Sequence, residues 1–529
     1  MLMYTLPLAL IGYLIFHYWE PEHIKTASII LLSELLAVVS VSNPLTLENA
    51  LKNACIFLLT MGLATVAYRL SPFHPLARLP GPTLNKITQF RAMWTVWNSR
   101  QHLDRHEMHK KYGPIVRVGP NALSIVDVDA VNSVFGVNGL SKGRYYDARR
   151  IPDAPPGLLT MRGEPHAQRR RLWNRGLSTE AIRGYDTSLG KRLAQLTAQI
   201  ESLSGNFDFT SLSVSFTFDV MGDVAFGHDL GMLEHGDTLG ILKSIEAFNR
   251  SLALSSHVPW LAPVFQRLPM ILPILHRMRD FAVRNATSRI QSGGSSRDIW
   301  HYLADEEGIE KEKPELQNVV SDAVLVIIAG YDTIATALAA LFWFLLKNPE
   351  CYKRLQQEID TAYPDHADPL LTPVPPSKLA YLNACINETL RLHPPVPTSG
   401  PRQVPYTMHD KVVAGQFIPA GTQVYVPAYS LHRDPRYFPL SPDKFIPERW
   451  LGHKELDTAA FIPFSHGPAN CVGRQLAKQE LLVVTSTLLQ RFTFSLANGY
   501  DSDNWPTQAN DYLTVTRASL FVCATTRDG

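Results

Sequence analysis

Cysteine is scarce in this 529-residue chain: there are five (Cys55, Cys351, Cys385, Cys471, Cys523), and none stands in a close CxxC-type pair. That excludes a disulfide-stapled scaffold and a cysteine-rich zinc module, and an odd, sparse set suits a reducing compartment such as the cytosolic side of a membrane. Charge of one sign is missing as well. The 50 Lys and Arg against 48 Asp and Glu leave a formal net charge of +2, without the basic excess that a nucleic-acid partner calls for. Also absent, after Pro82, is any Ser/Gly-rich linker, repeat or low-complexity tract. Length alone suggests about three or four domains at roughly 150 residues each, but the unbroken pattern predicts one large domain over residues 83–529.

Long hydrophobic runs are confined to the start. Residues 1–18, 27–42 and 54–70 are apolar and are separated by short polar stretches containing Glu20, Glu22, Lys25, Glu48 and Lys52. Each run is near or just below the roughly 18 to 20 residues that span a bilayer. No basic region precedes the first run and no small-x-small site follows it, which argues against a cleaved signal peptide. The expectation is a membrane anchor over residues 1–70 with three spans, or one span plus interfacial segments. Arg69, Arg78 and Lys86 at the end of the last run put the large domain in the cytosol by the positive-inside tendency. Pro72, Pro75, Pro80 and Pro82 make residues 71–82 a stiff connector.

Beyond the connector, β-like stretches stand at 115–118, 122–126, 412–413, 416–418 and 423–426. Helical periodicity covers 193–203, 239–251, 316–346, 351–361 and 380–391. The fold class is mainly α with a small β portion.

Three groups of residues carry chemistry. The first is Phe464-Ser465-His466-Gly467-Pro468-Ala469-Asn470-Cys471-Val472-Gly473, followed by Leu476, Ala477, Leu481, Leu482, Thr485 and Leu488 at helical spacing. A lone cysteine is ordinarily a small buried hydrophobe. Here it sits at a helix N-terminus, where unpaired N–H groups and the helix dipole favour an anionic sulfur. An anionic sulfur on a rigid loop is what a haem iron needs if oxygen is to be activated. Gly467 and Gly473 would let the loop turn and approach the macrocycle.

The second is the run from Val324 to Thr333, an apolar helix that abruptly offers Ala329-Gly330, then Asp332 and Thr333. The small residues would leave room for a diatomic ligand. The acid and alcohol would relay the two protons that breaking an O–O bond requires. Thr333 is expected to bond the helix carbonyl four residues back. The third is Glu388-Thr389-Leu390-Arg391, an i,i+3 charge pair that would ordinarily be a solvated bridge, with Glu448-Arg449-Trp450 downstream. A basic run, His166, Arg169, Arg170, Arg171 and Arg175, surrounds Trp173.

Together these segments resemble the cytochrome P450 family, from about Pro80 to the C-terminus, and residues 71–82 resemble the hinge of its membrane-bound, fungal members. The resemblance implies a P450 fold after the N-terminal transmembrane helices, and haem b held by Cys471 as axial iron ligand within the loop Phe464, Gly467 and Gly473. It implies an acid–alcohol pair at Asp332 and Thr333, and a buried structural triad of Glu388, Arg391 and Arg449. His166, Arg170 and Arg402 are implied as propionate partners, and Arg171 and Arg175 as a surface for NADPH-cytochrome P450 reductase. One departure is Ala469, where relatives usually carry an Arg or His that binds a propionate; another is Ile334, commonly Thr or Ser.

Pocket residues are expected, by the same resemblance, at Val324, Ile327, Ile328 and Ala329, at 396–399 (Val396 and Thr398 included), at 155–159 and at 511–513. The implied activity is O2-dependent oxidation of a lipophilic small molecule, terpenoid-like or another secondary metabolite, at the endoplasmic reticulum membrane with the catalytic domain in the cytosol. Two other readings share the haem-thiolate centre: an isomerase or dehydratase that needs no O2, and a non-catalytic haem-binding protein. The acid–alcohol pair weighs against both.

Overall fold

The first three helices find a face to bury in one another. The computed structural model describes residues 2–19, 24–40, 46–151, 154–293, 297–364, 367–407, 411–452, 456–516 and 518–527. In it the helices Leu2–Trp19, Ile24–Ser40 and Leu47–Leu70 pack through Ala9, Val38 and Phe57. Their outward faces stay apolar, with Leu10, Leu32, Leu59 and Leu63 exposed, an arrangement suited to lipid rather than water. Among the described residues of this region only Leu47–Leu70, with 24 residues, is long and apolar enough to cross a membrane. The other two supply the shorter apolar stretches Tyr4–His17 and Ser28–Ser40, trimmed by polar ends below the length of a hydrocarbon core. Met1 and residues 41–42 of the expected runs lie outside the described residues.

A polar seam joins this bundle to the rest of the chain. The His17 and Tyr68 rings are 4.4 Å apart, and Tyr68 lies 5.3 Å from His74. Buried Arg117, on the first strand of the large domain, reaches His74 Nε2 at 3.1 Å and donates to the Arg69 carbonyl at 3.2 Å. Arg69 in turn donates to the Ile87 carbonyl at 2.6 Å.

Past the prolines the chain is mainly helical. The expected strands stand at Ile115–Gly119, Ala122–Ile125, Lys411–Val413, Gln416–Ile418 and Gln423–Tyr425. The first two pair antiparallel, Gln423–Tyr425 joins Ala122–Ile125 in parallel, and Arg402–Gln403 completes the row. A parallel pair needs a long crossover, and here nearly the whole helical body lies within it. The expected helices stand at Asp186–Ser202, Ile241–His257, Leu316–Lys347, Pro349–Ala362 and Ala380–Leu392.

Leu316–Lys347 runs through the largest core cluster and packs along Phe209–Phe226. At Gly330 the two helices pack tightly enough that a Cβ would collide with Met221 Sδ. The missing side chain at Gly330 therefore serves helix packing. Glycine is what lets two helix backbones close on a methionine.

Candidate functional site

The Cys471 loop is held by its own backbone. The Cys471 N–H donates to the Phe464 carbonyl at 2.9 Å, and the Asn470 N–H to that of Gly467 at 3.1 Å. Gly467 has a φ of 73°, and a Cβ there would collide with the Phe135 carbonyl, so the position needs glycine twice over. Gly473 differs: its φ is −81°, and a Cβ would meet nothing within 4 Å. Its small size leaves open space rather than enabling a turn. Half-buried Phe464 packs on the main core, and the helix Arg474–Arg491 starts three residues past the cysteine.

Cys471 has exposed surface although protein atoms surround it almost completely, so it faces an internal hollow. Burial pushes its thiol up, while the Gly473 N–H and the guanidinium groups of Arg170 and Arg474 pull the other way. Desolvation therefore opposes the anion that the helix terminus favours. A cation at the sulfur reverses that balance.

Arg170, on the helix Gly163–Gly176, clamps this loop by donating to the Asn470 carbonyl at 2.6 Å and to Asn470 Oδ1 at 2.8 Å. It belongs to a convergence of four bases, Lys142, His166, Arg170 and Arg402, with no carboxylate acting on Lys142 or His166 among the described residues. Lys142 is pulled down to about 7 by burial and by Arg402 and Arg170. His166 is pulled down to about 4 by burial and by the other three. Arg402 donates to the Tyr146 hydroxyl at 2.7 Å, and Lys142 Nζ to the Leu158 carbonyl at 3.1 Å. Half-buried Ala469 contributes no donor. The structure thus brings His166, Arg170 and Arg402 together and adds Lys142 and Tyr146, which no motif in the sequence marked. A hollow bearing a thiol, open space at Gly473 and bases lacking an anion fit haem b, which needs a sulfur ligand for iron and counter-charges for two propionates.

On the long helix, Ala329 is exposed between buried Ile327 and Tyr331, which marks a second hollow-facing point. Thr333 Oγ1 donates to the Ala329 carbonyl at 2.8 Å, as the spacing predicts, and Asp332 is buried one residue before it. Val324, Ile328 and Val396 are half-buried. Ile327 and Thr398 are buried outright, Ile327 within the main core cluster and so turned away from any pocket.

Sequence reasoning missed Asp322, which is 0 % exposed on the same helix. It accepts from Trp173 Nε1 at 3.0 Å, pairs with Arg169 Nε at 3.0 Å and accepts from the Leu158 N–H at 3.4 Å. Burial pushes its carboxyl up, with Arg169 and Trp173 opposing. A lone acid in the apolar run from Val319 to Ile328 was the available signal. Leu158 is thereby gripped at both ends of its backbone, by Asp322 and by Lys142.

Glu388 and Arg391 are both fully buried and joined by two hydrogen bonds of 2.8 Å, with Arg449 Nε adding a third to Glu388 at 2.9 Å. Trp450 Nε1 and the Ile446 N–H also donate to Glu388, at 3.0 and 2.9 Å. Burial raises the Glu388 carboxyl, but Arg391 and Arg449 outweigh it and hold the group below its ordinary range. Of the outward bases, Arg171 is exposed, whereas Arg175 is drawn onto Asp305 at 2.7 Å. Arg171 also stands near a carboxylate, 3.9 Å from Glu310.

The cytochrome P450 family model matches residues 80–522. The chain is 33% identical to the cytochrome P450 monooxygenase FCK2 of Fusarium pseudograminearum, over 90% of this chain and 87% of that protein. It is 31% identical to averantin hydroxylase of Dothistroma septosporum, over 88% and 89% of the two chains. With tryprostatin B 6-hydroxylase of Aspergillus fumigatus the identity is 32%, over 86% and 81%. Members of this family bind haem through a cysteine thiolate, and the chain belongs to it as a cytochrome P450 monooxygenase.

Proposed function

We propose that this monooxygenase oxidises a lipophilic small molecule of secondary metabolism by hydroxylation or epoxidation, with electrons from NADPH-cytochrome P450 reductase. The observation that carries the site assignment is Cys471, enclosed by protein yet open to a hollow, on a loop clamped by one of four convergent bases. Cys471 would hold the iron of haem b, and Lys142, His166, Arg170 and Arg402 its propionates. Bound there, haem supplies the iron at which O2 is reduced and one oxygen atom is passed to substrate.

The chain's own residues do the rest. Thr333 spends its hydroxyl proton on the Ala329 carbonyl, which leaves the oxygen lone pairs facing outward to accept from water. Buried Asp332 beside it supplies a carboxyl for proton exchange. The Glu388–Arg391–Arg449 triad fixes the segment that leads to the loop. Val324, Ile328, Ala329 and Val396 offer an apolar lining for the substrate.

The hydroxylases of averantin and tryprostatin B support a secondary-metabolite substrate for this chain. Leu47–Leu70 would anchor residues 83–529 to the endoplasmic reticulum membrane on its cytosolic side, with residues 71–82 as hinge and Arg171 on the reductase-facing surface. Turnover of extracts from the source organism tests this reading. Product should require O2, NADPH and the reductase together, and product formed without O2 would instead mark an isomerase.

A further inference from the structure

A second buried polar cluster lies apart from the cysteine loop. It is built where the helix Gln101–Tyr112, the end of the helix Ile241–His257, the short helix Arg144–Asp147 and the turn after Asn510–Asp511 meet. Arg105 and Arg149 are only 4 % and 6 % exposed respectively. The Arg105 guanidinium lies 3.6 Å from the centre of the Tyr425 ring, and Arg149 Nη2 donates to the Tyr145 hydroxyl at 3.0 Å. The Tyr145 ring is 6.3 Å from that of Tyr425 and 5.6 Å from that of His257. The two guanidinium groups therefore flank one aromatic wall.

Neither has a carboxylate partner among the described residues, and Arg105 Nη1 and Arg149 Nε have no hydrogen-bond partner there. Arginine cannot relieve this by losing its proton, and a buried cation without an anion is costly. The one acid at hand, Asp511, is 0 % exposed: its Oδ1 accepts from the Leu513 N–H at 3.3 Å, and its Oδ2 lies 3.5 Å from His102 Nδ1 and has no hydrogen-bond partner among the described residues, so neither oxygen is bonded to Arg105 or Arg149. Leu513 is held at a φ of 101°, a strained conformation for a branched residue that the turn enforces. His257, pulled down to about 3 by burial and by Arg105 and Arg149 against Asp511, adds no positive charge of its own.

The cluster is wired to the candidate active site. Tyr146, next to Tyr145, holds Arg402. The strand after the turn is tied to the long helix, with the Val515 carbonyl accepting from Thr336 Oγ1 at 3.1 Å, three residues past Thr333.

We propose that Arg105 and Arg149 form a subsite for the carboxylate of an acidic substrate, so that this enzyme oxidises a lipophilic carboxylic acid. The proposal rests on the monooxygenase reading above and names the substrate class. A carboxylate at these guanidinium groups supplies an anion and fills their open donors.

The test uses the full-length holoenzyme in detergent and four lipophilic acids, each beside its methyl ester: dodecanoic, 4-phenylbutanoic, 1-naphthaleneacetic and indole-3-acetic acid. Affinity is read from the ligand-induced shift of the haem absorbance. At least one acid should bind tenfold or more tightly than its ester. Arg105→Met and Arg149→Met should bring that ratio within twofold while haem content stays that of the parent. The idea is overturned if no acid outbinds its ester, if the preference survives both substitutions combined, or if those variants lose haem with no acid preference in the parent, which would make the anion a propionate. Should the variants not fold, the parent's acid-to-ester ratio decides alone. Failure of the monooxygenase reading would show separately, as a parent lacking the thiolate-type spectrum of its reduced carbon-monoxide complex.

Discussion

Glu480 is a buried acid without a counter-charge among the described residues. It is fully buried on the helix Arg474–Arg491, neither oxygen has a partner among the described residues, and burial pushes its carboxyl up to about 8. A folded-state value above the unfolded one means that the folded protein holds the proton more tightly. That stability is full below the unfolded value near 4.5 and is lost as pH rises through about 8. Glu480→Gln keeps the shape and removes the titration. Its thermal midpoint should match the parent near pH 5 and exceed it above pH 8, by a difference on the order of a few kcal/mol in stability. Parallel curves across that range would show that Glu480 finds a partner when folded. At Thr333 the expectation concerns chemistry. Thr333→Ala should bind substrate as the parent does but form less product per NADPH consumed, with Thr333→Ser restoring most of the yield; unchanged coupling would place proton delivery elsewhere.

Among the elements, the helix Gly163–Gly176 and the segments facing it decide how the cofactor is held. Lys142, His166 and Arg402 approach one another from three separate stretches, and Ala469, next to the Asn470 that Arg170 holds, brings no side-chain donor. Lys142→Ala or Arg402→Ala should lower haem occupancy severalfold in purified protein, and adding Ala469→Arg should partly restore it. Full occupancy in both single variants would assign the propionates to other groups. This cluster also shows what the sequence could and could not reveal. The cysteine loop and the Asp332–Thr333 pair were legible because their chemistry is contiguous. The strands and the long helix were legible from periodicity. Lys142, Tyr146 and Asp322 were not, since each gains meaning only from partners more than ten residues away that the fold delivers. The contact of Gly330 with Met221, on another helix, was hidden for the same reason. Within the pocket, resemblance named Ile327, but helical phase turns it into the core.

At the scale of the whole molecule, the N-terminal bundle and the catalytic body are joined by more than a flexible tether. Arg117 is buried and donates to the Arg69 carbonyl, while the His17, Tyr68 and His74 rings meet edge-on and tilted across the junction. A chain beginning at Ser71 should still bind haem, because the cysteine loop, the bases and the triad all lie beyond the hinge. It should melt at a lower temperature, since Arg117 loses a buried acceptor worth about 1–3 kcal/mol. Haem content and melting temperature, compared with the full chain, check both halves of that expectation; a truncated chain that never binds haem would make the bundle part of the catalytic fold. The catalytic body, the hollow between its elements and the bases that line it converge on one sulfur atom. The most direct measurement is therefore the absorbance of the reduced carbon-monoxide complex in the parent and in Cys471→Ala. The thiolate-type band should be present in the parent and gone in the variant, together with activity. Persistence of that band without Cys471 would contradict the assignment.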